Sequence, residues 1–379
     1  MAKEITRHIK KEVERELWAR AAGRCEFQGC NKLLYKSPVT QEKVNIAQMA
    51  HIYSFAENGP RGWGGFVTNK KELNNVGNLL LVCHGCHETI DQDQDGNKYS
   101  ATLLKGWKAE HETRVCNVTG ISPDKKSHVI FYGSKIGEQN SPFSANGAFE
   151  AMFPGWFPAD EKPINLSMSC EHEDTADAFW QTEADHLKAA FDRHIVPRIA
   201  ENNPNHFSVF ALANQTLLIL LGSLLTDKVP VEVYQLHREP RTWKWQKHPD
   251  NFSFQIKRPD IATGEPILAI SLSGKIDHAR ITSVIVTPVS IWEITIPECH
   301  NDFLKSQAQL AMFRETMRKV MVEIAAVHGQ QKPLSVFPAM PVACAVEMGR
   351  VRMPKADMPW IIYDQNNKLQ KFIKGVTIG

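Results

Sequence analysis

Apolar residues recur at four-residue steps from Ile5 through Ile9, Val13 and Leu17 to Ala21, with Lys, Arg and Glu between them. That spacing predicts an amphipathic helix over residues 5–22, running straight into Cys25. The segment VNIAQMAHIYSF alternates and predicts a strand ending near His51, followed by the Gly-rich stretch ENGPRGWGGF. NNVGNLLLVCHGCHETID then reads as a turn, a short apolar strand, a cysteine knuckle and the start of a helix, and residues 101–115 as a further helix. Gly, Pro, Ser and Asn dominate residues 117–163, around one apolar island, HVIFYG, so the main boundary belongs there.

Beyond that boundary strands and helices alternate. INLSMSC, FSVFALA, VPVEVYQL, ILAISLSG, SVIVTPVSIWEITI, VACAVEMG and WIIYD read as strands. Residues 182–196, with Leu187, Ala190, Phe191 and Ile195 on one face, read as a helix, as do Leu217–Leu225 and a long segment from Asp302 to His328 ended by Gly329. Such alternation favours an α/β layered fold with a largely parallel sheet. Two similar halves would fit it, although no close internal repeat stands out. The expected division is a small domain over residues 1–120, a linker over 121–160 and a larger domain over 161–379.

With 379 residues, 42% hydrophobic and 23% charged, the chain has the composition of a soluble globular protein. Its first 25 residues carry charges of both signs where a signal peptide needs an apolar run, so a cytoplasmic protein with reduced cysteines is expected. The most apolar window, VFALANQTLLILLGSLL, is broken by Asn214, Gln215, Thr216 and Gly222 and is too short for a membrane span. Lys3, Arg7, Lys10, Lys11, Arg15, Arg20 and Arg24 gather on or near the first helix, a local basic patch of the kind that meets phosphates. The same pattern also fits a solvated helix face.

The cysteines are unevenly placed. Cys25, Cys30, Cys83 and Cys86 fall within the first 86 residues, as C-x4-C and C-x2-C. C-x-x-C-H alone is compatible with covalent haem or a redox dithiol, but haem attachment takes place outside the cytoplasm and a dithiol needs no second pair upstream. Four thiolates are the ligand set of a closed tetrahedral zinc site.

MAHIYSF, NNVGNLLLVC and CHGCHETID, in that order and bracketed by the cysteine pairs, resemble the HNH endonucleases over about residues 15–115. The resemblance implies a ββα-metal unit holding a divalent cation, usually magnesium, against the scissile phosphate of double-stranded DNA. His51 would be the general base, Asn78 would fix the imidazole or the hairpin, His87 would ligate the catalytic metal, and the four cysteines would hold a structural zinc. Ala50 departs from the family pattern, in which Asp, Glu or His often precedes the catalytic histidine as a metal ligand. Asp91, one turn after His87, is the candidate replacement.

The C-terminal segments SMSCEHEDTADAFWQTEADHLKAAFDRH, VEVYQLHREPRTWKWQ and VFPAMPVACAVEMGRVRMPKADMPWIIYDQN look like a SAVED domain, the sensor of CBASS anti-phage systems. The likeness implies two CARF-like Rossmannoid units. It also implies an activating cyclic di- or trinucleotide made by a cGAS/DncV-like nucleotidyltransferase, and a homo-oligomer promoted by that ligand. Tyr234, Trp243, Lys275, Arg350 and Trp360 are candidate messenger contacts, since purines stack on aromatic rings and phosphates attract cations. The alternative is a modification-dependent restriction enzyme whose C-terminal domain reads DNA.

Overall fold

The structure is a computed structural model and describes residues 8–63, 70–134, 143–168, 176–200, 206–366 and 368–379. The chain divides into two compact units, Met1–Ile121 and Ser122–Gly379.

In the first unit, α1 (Lys11–Arg20) precedes the antiparallel hairpin β1 (Ala47–His51) and β2 (Leu79–Cys83), then α2 (His84–Asp91) and α3 (Ala101–Thr119). The first helix is shorter than its apolar spacing predicts, and Ile5, Lys3 and Arg7 lie outside the described residues. All five residues of β2 are buried, in a core shared with Leu17, Ile52, Ile90 and Leu104, which explains its unbroken apolar run. Ser100 caps α3 by accepting from Leu103 N at 3.2 Å.

In the second unit, β3 (Lys126–Gly133) is followed by α4 (Ala145–Met152), β4 (Phe157–Pro158), β5 (Ile164–Asn165), α5 (Asp177–His194) and α6 (Val196–Ala200). Next come β6 (Phe207–Leu212), α7 (Gln215–Leu225) and β7 (Val231–Tyr234). β3 carries β4 and β5 on one side and β6, then β7, on the other, all parallel. Residues 121–160, expected as a linker, therefore contain a central strand of this sheet. The reason is the apolar island itself: Val129 to Tyr132 are buried. INLSMSC contributes only the two residues of β5, and its end lies outside the described residues.

The last part runs through β8 (Gln255–Lys257), β9 (Glu265–Ser271), α8 (His278–Thr282), β10 (Val289–Thr295), α9 (Gln307–His328), β11 (Leu334–Ala339), α10 (Val342–Val351), β12 (Trp360–Asn366) and β13 (Lys371–Ile378). Its sheet has the order β13-β12-β11-β9-β10-β8, with the four inner strands parallel and the two edge strands antiparallel. VACAVEMG, expected as a strand, is the helix α10. Every residue from Ala343 to Val351 is buried, so no polar face betrays the helical period. The strand is the preceding LSVFPA, despite Pro338.

A repeat becomes visible in three dimensions. Ser208-Val209-Phe210 followed by Gly222 matches Ser335-Val336-Phe337 followed by Gly349 at the same spacing, and the elements around them correspond: β6 to β11, α7 to α10, β7 to β12. α7 and α10 cross at the two glycines. A Cβ on Gly222 would sit 1.9 Å from Val346 O, and one on Gly349 would sit 2.0 Å from Ile219 O, so neither position accepts a side chain. The helices also exchange caps: Thr216 N donates to Asp364 Oδ2 at 3.1 Å and Ala343 N to Gln235 Oε1 at 3.2 Å. Each half thus closes the other's helix N-terminus with a side chain from its own β7 or β12 end.

One buried acid strains this unit. Glu183 of α5 has no hydrogen bond to either carboxylate oxygen, the Tyr132 hydroxyl facing it has none, and burial pushes the Glu183 pKa up to about 7. A carboxyl raised in the fold is tolerated while protonated, so its full stability is present below pH about 4.5 and is lost as pH rises through about 7. Thermal stability of this unit should therefore fall between pH 5 and 8 by up to about 3 kcal/mol, and Glu183→Gln should flatten that dependence. Melting curves of both proteins across the range check it; parallel curves would refute it.

Candidate functional site

Four thiols converge in the first unit. Cys25 and Cys30 sit on a loop after α1 that doubles back, with Cys25 N donating to Lys32 O and Cys30 N to Phe27 O, and with Gly29 at φ +80°. Cys83 ends β2 and precedes α2, whose first turn holds Cys86. The four Sγ atoms lie within 4.8 Å of one another, and those of Cys30 and Cys83 are 3.9 Å apart. Ligand sulfurs around a tetrahedral zinc are about 3.8 Å apart, given Zn–S bonds of about 2.3 Å. Burial pushes the Cys25 thiol up to about 12 and raises Cys86 as well, whereas hydrogen bonds from Cys86, Cys30 and Cys25 outweigh burial and lower Cys83. The cluster can hold a metal ion, and among the described residues it is the only group of three or more His, Cys, Asp or Glu side chains whose ligand atoms converge.

In the same unit, β1, the loop that follows it and α2 surround a cleft of about 440 Å³ lined by His51, His87 and Asp91, with Gln48, Arg61 and Gln94. His51 is half-buried at the end of β1, and its Nε2 lies 3.0 Å from Asn74 Oδ1. His87 and Asp91 are one turn apart on α2, with Nδ1 and Oδ2 at 3.4 Å. Ala50 is buried in the core, so the position before the histidine adds nothing to the cleft.

The hydrogen bonds of the Asn78 side chain go to Tyr53 and Leu73. Asn78 is buried and clasps the chain beyond His51: Tyr53 N donates to Oδ1 at 2.8 Å, while Nδ2 donates to Tyr53 O and Leu73 O, both at 3.0 Å. Asn78 thus pins the segment that leaves the hairpin, and the asparagine at the imidazole is Asn74, which the sequence reading passed over. Two cations of this unit lie over aromatic faces, Lys70 at 4.4 Å from the Trp63 ring and Lys105 at 4.7 Å from the Tyr53 ring.

The second unit holds a larger cleft, about 670 Å³, at the carboxyl ends of its parallel strands. Its lining comes from both halves of the repeat: Leu212 and Gln215 at the β6–α7 turn, Gln235 to Arg238 and Arg241 after β7, Ser273 after β9, and Ala339 to Val342 at the β11–α10 turn. This is where open α/β sheets present ligand crevices. His237 is fully buried on its wall with no hydrogen bond to either ring nitrogen, and burial and Lys305 lower its pKa against the attraction of Asp302, 3.9 Å from Nδ1.

None of the five residues expected to contact a messenger lines this cleft. Tyr234 is buried and stacks on Phe210 at 4.4 Å, Trp243 packs edge-on to the same ring, and Trp360 is wholly in the core. Arg350 is spent on Glu347 and on the carbonyls of Thr226 and Val229. Lys275 is exposed in the β9–α8 loop. The polar residues that do line it, Arg238 and Arg241 among them, follow β7 directly. The rule that ligands gather beyond strand ends would have found them.

A family model described as "SAVED: SMODS-associated and fused to various effectors sensor domain" matches residues 187–378, half of the chain. The chain belongs to the SAVED family. The match lies within the second unit, which is accordingly a sensor domain of mixed α/β fold. Solved structures similar to the chain include the Acinetobacter baumannii Cap4 SAVED/CARF-domain containing receptor with the cyclic trinucleotide 2'3'3'-cAAA, at 12% identity and TM-score 0.42, covering 82% of this chain and 67% of that one. The same receptor with 3'3'3'-cAAA matches at 12% identity and TM-score 0.42, over 77% and 65%. The Moraxella osloensis Cap4 receptor matches at 10% and 0.40, over 77% and 64%. The SAVED chain described here thus spans about two thirds of the length of these receptors. No curated protein matches it. No helix among the described residues is long and apolar enough to cross a membrane.

Proposed function

We propose that this protein is a ligand-gated, metal-dependent DNA endonuclease of the HNH type, in which the SAVED unit senses a cyclic oligonucleotide. The observation that carries the reading is the pairing, in one chain, of a sensor family known as a fusion to effectors with a unit that gathers His51, His87 and Asp91 around one cleft and brings four thiols together.

The residues divide the work. His51, held with its Nε2 3.0 Å from Asn74 Oδ1 at the rim of the cleft, would take a proton from the attacking water. His87 and Asp91 fit a magnesium ion, which commonly takes one or two protein ligands and fills its shell with water and phosphate oxygens. When bound, that cation supplies positive charge to the scissile phosphate and its leaving oxygen. The four cysteines hold a structural zinc that fixes α2 to the hairpin. Lys70 and Lys105 offer the duplex backbone its phosphate contacts. In the SAVED unit, Arg238 and Arg241 suit the phosphates of a cyclic di- or trinucleotide from a cGAS/DncV-like enzyme. Binding that favours an assembled form would switch on cutting through self-association.

The test is plasmid cleavage with magnesium against a panel of cyclic dinucleotides and trinucleotides, 2'3'3'-cAAA and 3'3'3'-cAAA included, with sedimentation of each mixture. One member should raise cleavage by about two orders of magnitude or more and produce a larger species. Full cutting without any of them, or selective cutting of modified DNA indifferent to all, would favour the restriction-type alternative.

A further inference from the structure

We infer that Arg61 is the positioning residue that sets His51 against the His87–Asp91 pair. The inference rests on the nuclease reading above.

Arg61 adopts φ +64°, the left-handed region that a non-glycine residue enters at a cost of about 1 kcal/mol or more. What holds it there is its side chain, which runs inward between β1 and α2. Nε donates to Ile52 O at 2.7 Å, and Nη2 reaches His51 O at 3.4 Å. Nη1 reaches Ile90 O at 3.5 Å, a carbonyl in the last turn of α2 between His87 and Asp91. A cation is favoured at a helix C-terminus, and Asp91 and Asp93 add their attraction against the cost of half-burying the guanidinium.

The opposite wall is built around the same side chain. Gly96, in the turn after α2, has φ +67°, and a Cβ there would lie 2.7 Å from Arg61 Cγ and 3.3 Å from Arg61 N. One planar fork therefore measures the gap between the strand end that carries His51 and the helix that carries His87 and Asp91. Lysine has the charge but not the fork, so it cannot hold both elements at once. Because the guanidinium donors are directed at protein carbonyls, Arg61 acts through its neighbours and not as a phosphate ligand.

The experiment compares wild type with Arg61→Lys, Arg61→Ala and Gly96→Ala, the last displacing the side chain without removing its charge. Each is checked for zinc content and melting temperature. The cyclic-oligonucleotide panel and His51→Ala serve as references for the nuclease reading. If Arg61 positions the site, Arg61→Lys and Gly96→Ala lower kcat by about 10²-fold while KM for DNA stays within about twofold. Manganese affinity, titrated by electron paramagnetic resonance without DNA or messenger, should weaken by about tenfold. Wild-type kcat and manganese affinity in a folded Arg61→Lys protein would overturn the inference while leaving the nuclease intact. So would a raised KM with unchanged kcat, which would make Arg61 a DNA contact. A wild type that never cuts DNA, with His51→Ala no different, would instead remove the nuclease reading.

Discussion

Replacement of His51 by alanine is expected to lower magnesium-dependent DNA cleavage by about 10²- to 10⁴-fold while zinc content and melting temperature stay at wild-type values. The imidazole is half-buried at the rim of a cleft, against Asn74 and tilted to Phe55 at 6.1 Å between ring centroids, and the core beneath is supplied by Ala50 and Ile52 instead. Truncation therefore removes a proton acceptor and little packing. His87→Ala and Asp91→Ala should behave differently. Each removes one side of a pair that fits a cation, so their losses should shrink when magnesium is raised or manganese replaces it, whereas the loss in His51→Ala should not. Plasmid nicking across a metal titration separates the two classes. A folded His51→Ala protein that cuts at the wild-type rate, or one restored by excess metal, would take the base assignment away from His51.

How much of this was legible follows from which signals are local. The thiol pairs and the strand before Cys83 were readable because ligand spacing and an unbroken apolar run are written in consecutive residues, and Cys25, Cys30, Cys83 and Cys86 do converge. Asn78 was expected at the imidazole or the hairpin: it clasps Tyr53 and Leu73, while Asn74 lies at the imidazole. Nothing in the local pattern separates two asparagines four residues apart. Arg61 was hidden for a similar reason, since its three carbonyl partners come from β1, the following residue and α2. In the SAVED unit, α10 was misread because burial on every side erases amphipathic period, and β3 because a strand among Gly and Ser resembles a spacer. Of the aromatic residues picked for the messenger, Tyr234 and Trp360 are buried in the core, a placement that residue type alone does not reveal. The internal repeat escaped the sequence because it is carried by few identities, Ser-Val-Phe and a glycine, whose meaning is the helix crossing they permit.

The other large effect expected is loss of the N-terminal fold when the thiol cluster is broken. Wild-type protein should carry about one zinc per chain, since four thiolates complete a tetrahedral shell, and Cys25→Ser or Cys83→Ser should carry essentially none. Both side chains are buried, and Cys83 N also donates to Cys25 Sγ at 3.3 Å, so serine places a shorter, harder ligand where a thiolate closes the β2–α2 corner. Structural zinc contributes roughly 10–16 kcal/mol of apparent binding free energy, against about 5–15 kcal/mol for the whole stability of a typical domain. The core of the first unit, centred on Leu17, Ile52, β2 and Leu104, is small and has little in reserve to replace that term. The first unit should accordingly lose its cooperative melting in either variant, and DNA cleavage with it, while the SAVED unit keeps its own transition. Cys116→Ser, at an exposed position on α3, is the control and should change neither zinc content nor melting. Metal analysis of the purified proteins together with calorimetry decides the matter. Zinc content and both transitions unchanged in Cys25→Ser and Cys83→Ser would show that the four thiols are packed together without serving a metal.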